Sequence, residues 1–158
     1  MLDPRAITIV SGGQTGADRA ALDFAISRGM AHGGWCPRDR RAEDGPISEK
    51  YALQETPSRH YSQRTRWNIQ DSDATLVFSI KQVVTGGTRL TLELAKQLGK
   101  PVLHLSRNDG SLAPAATRVR AFLEQHQVRT LNVAGPRASQ EPEIAAFVSA
   151  VLLGTMGD

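Results

Sequence analysis

Hydrophobic and polar residues follow two alternating patterns along this chain. The run ITIVS at 7–11 is rich in β-branched residues and bounded by glycine, as expected for a buried strand. Over 17–28 apolar residues instead recur every three or four positions, which is the spacing of one helical face, and Gly29 supplies a C-terminal stop. The segment Thr15-Gly-Ala-Asp18 has the spacing of a capping box, so we expect Thr15 to open this helix.

The same two patterns alternate through the rest of the chain. They predict further strands at 30–36, 74–80, 102–105 and 128–133, and further helices at 62–71, 88–97, 112–125 and 141–153. Residues 37–60 carry charges and prolines without either period, so we expect an ordered functional loop. This order of elements predicts an α/β fold, a single Rossmann-like domain over 1–158 whose parallel sheet is covered by helices on both faces.

Two helices are predicted in more detail. The buried stripe of the helix over 88–97 should consist of Leu90, Leu94, Ala95 and Leu98. The helix over 141–153 should hold Pro142 in its first turn, where the missing N–H of proline costs nothing.

Composition narrows the class of protein. The length of 158 residues suits one domain, and 19 basic against 16 acidic residues give a net charge of only +3, which does not favour a dedicated nucleic-acid binder. The one cysteine, Cys36, excludes an intrachain disulfide and a cysteine-based zinc site within one chain. There is no signal-peptide core and no apolar run of membrane-spanning length, so we expect a cytoplasmic protein without a membrane partner.

Six of the 14 glycines fall where predicted strands lead into helices. The three segments are Ser11-Gly-Gly-Gln-Thr-Gly16, Thr85-Gly-Gly-Thr88 and Ala134-Gly-Pro-Arg137. Helix starts offer free backbone N–H groups and a positive dipole, and the carboxyl edge of a parallel sheet brings such starts together. The pattern therefore predicts a phosphate or oxyanion pocket, although the first segment matches neither the dinucleotide nor the Walker motif.

Arginine dominates the basic residues, with 15 of 19, and its planar fork suits phosphate and carboxylate. The arginines near the predicted edge are Arg19, Arg38, Arg40, Arg41, Arg89 and Arg137. We expect a basic ligand pocket there. The alternative is a solvated charged loop, because Asp39, Glu43 and Asp44 nearly neutralise the segment RDRRAED.

Catalytic patterns are sparse. No Gly-x-Ser-x-Gly occurs, and the four histidines show no metal spacing. Asp44 and Glu93 are the carboxylates to consider as acid or base. The hydroxyls of Thr15 and Thr88 could cap helices or donate to a phosphate, and Cys36 could be a buried strand residue or an exposed thiol.

Several longer strings are recognisable together. SGGQTGADRAALD (11–23), GGWCPRDRRAEDGPI (33–47), ETPS (55–58), QRTRWNIQDSDATLVFS (63–79), TGGTRLTLELAKQLGKP (85–101) and LNVAGPR (131–137) resemble the molybdenum carrier family, the molybdenum cofactor carrier proteins. The resemblance runs from about residue 7 to 150. It implies a Rossmann-like fold of the LOG-like (lysine-decarboxylase-like) superfamily and a homo-oligomer, often a tetramer. It also implies non-covalent binding of the molybdenum cofactor (molybdopterin), a pterin whose dithiolene holds molybdate and whose tail carries a phosphate.

The resemblance also implies site residues and a role. The ligand-binding candidates are Gly12, Gly13, Gln14, Thr15, Gly16, Gly86, Gly87, Thr88 and Arg89, with Arg38, Arg41, Asn132, Gly135 and Arg137 as looser candidates. The chain is expected to carry or store a phosphorylated small molecule without catalysing a reaction and without a metal-binding side chain of its own.

A competing hypothesis comes from the same superfamily. Its phosphoribohydrolases, which cleave nucleoside monophosphates, carry Pro-Gly-Gly-x-Gly-Thr-x-x-Glu. Residues 85–93 match the first two glycines and the glutamate, Glu93, but lack the proline, the third glycine and its threonine. A nucleotide-binding protein or a hydrolase that uses Glu93 therefore stays open beside the carrier, and the ligand could be the full cofactor, molybdate or a nucleotide.

Overall fold

A five-stranded parallel sheet organises the computed structural model, which describes residues 2–157. The strands are β1 (Thr8–Val10), β2 (His32–Gly33), β3 (Trp35–Cys36), β4 (Gln54–Glu55), β5 (Ala74–Ser79), β6 (Val102–Ser106) and β7 (Thr130–Ala134). The large sheet has the order β2-β1-β7-β5-β6, while β3 and β4 form a separate parallel pair. The last strand of the chain therefore lies at the centre of the sheet.

The central strands are apolar on both faces, as expected when helices cover a parallel sheet from both sides. Ile9 lies opposite Leu131, and Leu76 lies opposite Val133. All four side chains are fully buried in the main hydrophobic core. This core holds the strands in register and so sets where their carboxyl ends meet.

Five helices flank the sheet in two layers. They are α1 (Ala17–Ser27), α2 (Tyr61–Gln70), α3 (Gly86–Gln97), α4 (Leu112–Gln125) and α5 (Ile144–Met156). Helix α5 packs against both α1 and α4, and α2 packs against α3 in the other layer. The predicted α/β class, with a Rossmann-like parallel sheet covered on both faces, is confirmed. Within residues 2–157 no helix is long and apolar enough to cross a membrane.

Some predicted bounds are wrong. Helix α5 begins at Ile144, so Pro142 precedes it, because residues 137–141 form a turn in which the N–H of Gln140 donates to the carbonyl of Arg137 at 3.0 Å. Helix α3 begins at Gly86, two residues earlier than predicted. Its buried face is Thr88, Thr91, Leu94 and Ala95. Leu90 is 37% exposed, since it lies at the mouth of a cavity rather than over the sheet.

The predicted strand at 30–36 is broken into β2 and β3 by Gly34. This glycine has a φ of 125°, and an added Cβ would collide with the carbonyl oxygen of Ser11. The following loop is ordered, as predicted, although it also contains the short strand β4. The Arg40 guanidinium holds this loop together, since Nη2 donates to the carbonyls of Ser48 and Tyr51, both at 2.8 Å.

Candidate functional site

The carboxyl ends of β5 and β7 lie side by side, and the chain leaves them in opposite directions. Strand β5 leads to α3 in one helical layer, and β7 leads to α5 in the other. In an open α/β sheet such a divergence creates a crevice, and ligands bind there. Two cavities occupy this edge, with volumes of about 190 and 400 Å³.

The smaller cavity brings all three predicted glycine segments together. Its lining residues are Gln14, Asp18, Tyr61, Ser62, Arg64, Thr65, Gly87, Thr88, Leu90, Thr91, Ala134, Gly135, Arg137 and Gln140. The larger cavity lies beside it and shares Thr88 and Gln140. The edge geometry expected from the strand ends is therefore present, and five predicted residues line the smaller cavity: Gln14, Gly87, Thr88, Gly135 and Arg137.

The turn between β1 and α1 is closed against the segment after β7. Gly16 has a φ of 84°, and a Cβ there would lie 2.5 Å from the carbonyl oxygen of Pro136. The N–H of Ala17 donates to that same oxygen at 3.2 Å. This first turn is therefore shaped to fit the neighbouring backbone.

A carboxylate of the chain itself fills the same turn. Asp18 is 2% exposed, and its Oδ2 accepts the N–H of Gln14 at 3.2 Å. Burial raises the pKa of Asp18, and the guanidinium of Arg64, 3.7 Å away, acts in the opposite direction. The position expected to receive a phosphate at this helix start therefore already has an acceptor.

The predicted capping box at α1 does not form. The helix begins after Gly16, and no side chain caps it. The Thr15 hydroxyl instead accepts the N–H of Ala138 at 3.1 Å and donates to Glu43. The hydrogen bonds from Ser139 and Thr15 lower the pKa of Glu43. Thr15 therefore joins the long loop to the segment after β7.

Gln14 leaves the turn and enters the cavity with a fixed amide orientation. Its Nε2 donates to the carbonyl of Arg41 at 2.9 Å and to that of Gly12 at 3.4 Å. Its Oε1 is buried and has no hydrogen-bond partner within residues 2–157. An acceptor of this kind costs free energy unless something donates to it.

Three guanidinium groups surround the ring of Tyr61; we call Arg41, Arg64 and Arg137 the arginine cluster. Their Cζ atoms lie 4.8, 5.7 and 5.7 Å from the ring centroid. In the described part of the chain, Arg41 and Arg137 form no ion pair, and Arg64 has only Asp18. The cluster therefore carries more positive charge than its surroundings balance, which attracts anions.

The start of α3 is open, in contrast to the start of α1. A Cβ added to Gly86 or Gly87 would meet nothing within 4 Å. Thr85, at the N-cap, makes no side-chain capping hydrogen bond. Within residues 2–157 the N–H groups of Gly86, Gly87 and Thr88 have no hydrogen-bond acceptor, and Gly87 and Thr88 line the same cavity as two arginines of the cluster.

Other predicted residues either bind neighbouring groups of the chain or lie outside both cavities. The guanidinium of Arg19 binds the carboxylate of Asp44 and the carbonyl of Gly13, so it is not available as the free cation that was expected. Asn132 is buried in β7, and its amide donates to Thr75 at 3.3 Å. Arg38 is exposed and lines neither cavity.

The carboxylates considered as acid or base also have partners. Glu93 on α3 accepts from Arg89 at 2.9 Å, both side chains are more than half exposed, and neither lines either cavity. Asp44 is held by Arg19, whose hydrogen bond lowers its pKa. Cys36 is buried in β3, in agreement with the strand interpretation, and burial raises the pKa of its thiol. Within residues 2–157 no three His, Cys, Asp or Glu side chains gather as metal ligands.

Sequence reasoning missed the part of the site that α2 contributes. Tyr61, Arg64 and Thr65 are spaced by three and four residues and share one helical face, which is turned toward the cavity. Arg64 also covers Gly12, where an added Cβ would lie 2.6 Å from its Nη1. Helix α2 carries two arginines, Arg64 and Arg66, and only contacts with the rest of the fold distinguish the one at the cavity from the exposed one.

Comparisons with known proteins agree with the resemblance found in the sequence. The family model described as "Circularly permutated YpsA SLOG family" matches residues 9–156. A solved structure described as a "Putative molybdenum carrier protein" from Syntrophus aciditrophicus SB is 46% identical, covers 96% of each chain and superposes with a TM-score of 0.93. A search of curated proteins gives no match.

Proposed function

We propose that this chain, which belongs to the circularly permutated YpsA SLOG family, binds and carries a phosphorylated molybdenum pterin in the crevice between β5 and β7. The neighbour at 46% identity bears the name of a molybdenum carrier, and this supports a ligand that contains molybdenum. The proposal is one of binding and transfer, without a chemical step performed by the protein.

One observation carries the proposal. Two members of the arginine cluster, Arg64 and Arg137, line one cavity together with Gly87 and Thr88 at the open start of α3. Guanidinium groups bind the oxygens of phosphate and molybdate through paired, charge-assisted hydrogen bonds, and helix N–H groups add to the same interaction. A tetrahedral oxyanion is thus the group that these residues suit best.

The cavities also fit a ligand larger than an oxyanion. The two cavities, of about 190 and 400 Å³, share Thr88 and Gln140, and only together do they accommodate a ligand of cofactor size. In the proposal Arg64, Arg137 and the start of α3 hold one anionic group of the cofactor. Gly86 and Arg89, predicted as ligand-binding residues, are retained as outer candidates at the same helix start.

The hydrolase alternative has less support from the geometry. A phosphoribohydrolase would need Glu93 at its substrate, yet this carboxylate is engaged by Arg89 at the exposed face of α3. A bound nucleotide is still tested in the experiment below, because its phosphate has the same chemistry as the phosphate of the cofactor.

The test is purification with and without added cofactor, followed by measurement of molybdenum and pterin per chain. We expect both to be retained in equal amounts, and the ligand at 100 times its Kd to stabilise the fold by about 2.7 kcal/mol. Retention of neither, with thermal stabilisation by AMP instead, would contradict the carrier function. Release of adenine from AMP would establish the hydrolase.

The proposal includes a cytoplasmic homo-oligomer, as the family resemblance implies. This part of the proposal rests on the resemblance alone. Light scattering of the purified protein should give a mass well above 17.1 kDa, and a monomer at all concentrations would remove this part of the proposal.

A further inference from the structure

The smaller cavity has a floor and a rim of different chemistry. We define the floor as its buried polar side chains, which are Gln14, Asp18, Thr65, Thr88 and Thr91. The rim consists of the exposed or half-buried side chains, among which Arg64 and Arg137 carry positive charge. The rim attracts anions, whereas the floor offers neutral hydrogen-bonding groups and one carboxylate.

The amide of Gln14 makes an acceptor available at the floor. Both partners of its Nε2 are carbonyl oxygens, of Arg41 and Gly12, and these can only accept. A flipped amide would place two oxygens against each other, so Oε1 is the atom without a partner. Gln14 is 2% exposed, and Oε1 has no hydrogen bond within residues 2–157.

A second buried atom, on another residue that lines the cavity, needs a hydrogen-bond acceptor. The Nε of Arg64 is a donor, and it is also buried without an acceptor in the described part of the chain. The side chain of Arg64 is 15% exposed, and one of its terminal nitrogens lies 3.7 Å from Asp18. Two residues that line the cavity, Gln14 and Arg64, therefore carry one unused acceptor and one unused donor.

We propose that this pair selects the ligand, by requiring a heterocycle whose edge carries an N–H donor next to a carbonyl oxygen. The N–H donates to Gln14 Oε1, the carbonyl accepts from Arg64 Nε, and the anionic group of the ligand lies at the rim. This inference rests on the proposed function and narrows its ligand. A lactam edge of this kind occurs in pterins and in guanine, whereas molybdate or phosphate alone has no such edge.

Burial explains why the selection can be strong. A ligand without the N–H would leave Gln14 Oε1 desolvated and unpaired, and sites that lose a buried hydrogen bond reject such analogues. One hydrogen bond to a buried acceptor corresponds to about tenfold in affinity. Asp18 adds negative charge to the floor, which also favours a donor over an acceptor there.

The experiment uses two matched probes and titration calorimetry. The first is 6-hydroxymethylpterin phosphate. The second is 2-amino-6-hydroxymethylpteridine phosphate, which has the same bicycle, amino group and phosphate but neither the N–H nor the carbonyl. We expect the first to bind about tenfold or more tightly. In the variant Gln14→Met this preference should shrink to about threefold or less, while the affinity for the second probe should stay within about twofold.

The controls separate the possible results. Gln97→Met, at the exposed end of α3, should behave as the wild type. The ratio of the two affinities in the wild type needs no variant, and it covers the case in which Gln14→Met does not fold. Equal binding of both probes by the wild type would overturn the selection but leave the proposed function intact. Binding of neither probe would overturn both.

Discussion

Two helix starts at the same edge of the sheet have similar glycine-rich sequences and opposite environments. Before α1, the carboxylate of Asp18 accepts the N–H of Gln14, and Gly16 fits against the carbonyl of Pro136. At the start of α3, an added Cβ on Gly87 would meet nothing within 4 Å. A glycine turn is therefore open to an anion only where the chain does not already supply the acceptor.

The largest expected effect is on stability, when a methyl group is added at each of the two helix starts. Gly16→Ala should destabilise the fold by about 2–5 kcal/mol, because the φ of 84° strains any other residue and the new Cβ collides with Pro136. Gly87→Ala should change the free energy of unfolding by about 1 kcal/mol or less. Urea denaturation measures both, and equal losses would contradict the contrast between a closed and an open start.

The second prediction concerns charge at the open start. Arg137→Ala should weaken binding of the phosphorylated pterin by about 10- to 100-fold, since a charge-assisted contact is lost. Its unfolding free energy should change by about 1 kcal/mol or less, because the guanidinium of Arg137 forms no ion pair in the described residues and loses only its contact with the ring of Tyr61.

Arg89→Ala is the matched control for the cluster. Its guanidinium is 68% exposed and paired with Glu93, so we expect a smaller loss of affinity than in Arg137→Ala. Calorimetric titration of both variants compares them directly. A larger loss in Arg89→Ala would move the anion away from the cluster and toward the outer face of α3.

Two threonine hydroxyls sharpen the comparison further. Thr15→Val should cost about 1 kcal/mol of stability, because the N–H of Ala138 and the carboxylate of Glu43 lose a partner. Thr88→Val should cost less stability but weaken ligand binding, since its hydroxyl has no hydrogen bond within residues 2–157 and lines both cavities. Thermal unfolding with and without ligand distinguishes these outcomes. Weaker ligand binding in Thr15→Val together with a larger loss of stability in Thr88→Val would contradict the roles given to the two turns.

The smallest expected effect comes from the carboxylate that fills the first turn. Asp18→Asn keeps an oxygen for the N–H of Gln14 but removes a negative charge from the floor, so anions should bind about threefold more tightly. Titration with the phosphorylated pterin at neutral pH provides the measurement. Weaker binding in Asp18→Asn would show that the charge of Asp18 supports the ligand instead.

The pH dependence of stability tests the same residue. Burial raises the pKa of Asp18 above its ordinary value of 3.8, so the folded state binds more protons than the unfolded state as the pH rises above 3.8. The contribution of Asp18 to stability therefore falls through that window, and it is recovered on acidification. The difference between the wild type and Asp18→Asn, followed by urea denaturation from pH 4 to 8, isolates this contribution from carboxylates of lowered pKa such as Asp44.

Much of the fold could be predicted from local pattern. Helix α4 has the predicted bounds, and β5 ends one residue before its prediction, because long periodic or apolar segments specify their own structure. The start of α5 could not be predicted, since the turn after Arg137 depends on contacts with the first turn. The exposure of Leu90 likewise reflects the cavity beside it and not the period of its helix.

The topology predicts where the site lies, but it does not predict which side chains bind each other within the site. Parallel strands bring the three glycine segments to one edge, so their meeting was predictable. The pairing of Asp18 with Arg64 was not, because the two residues are far apart in the chain and Asp18 was interpreted as part of a capping box. Proximity to the predicted edge of the sheet also failed to identify free arginines at positions 19 and 40, because the guanidinium groups of Arg19 and Arg40 bind nearby groups of the chain.

The most direct test is a crystal structure of the protein soaked with molybdate, with the molybdenum located by its anomalous scattering. We expect a molybdenum peak between the start of α3 and Arg137. The oxygens of the molybdate should lie within hydrogen-bond distance of the N–H groups of Gly87 and Thr88. A peak inside the turn before α1, with Asp18 displaced, would contradict it.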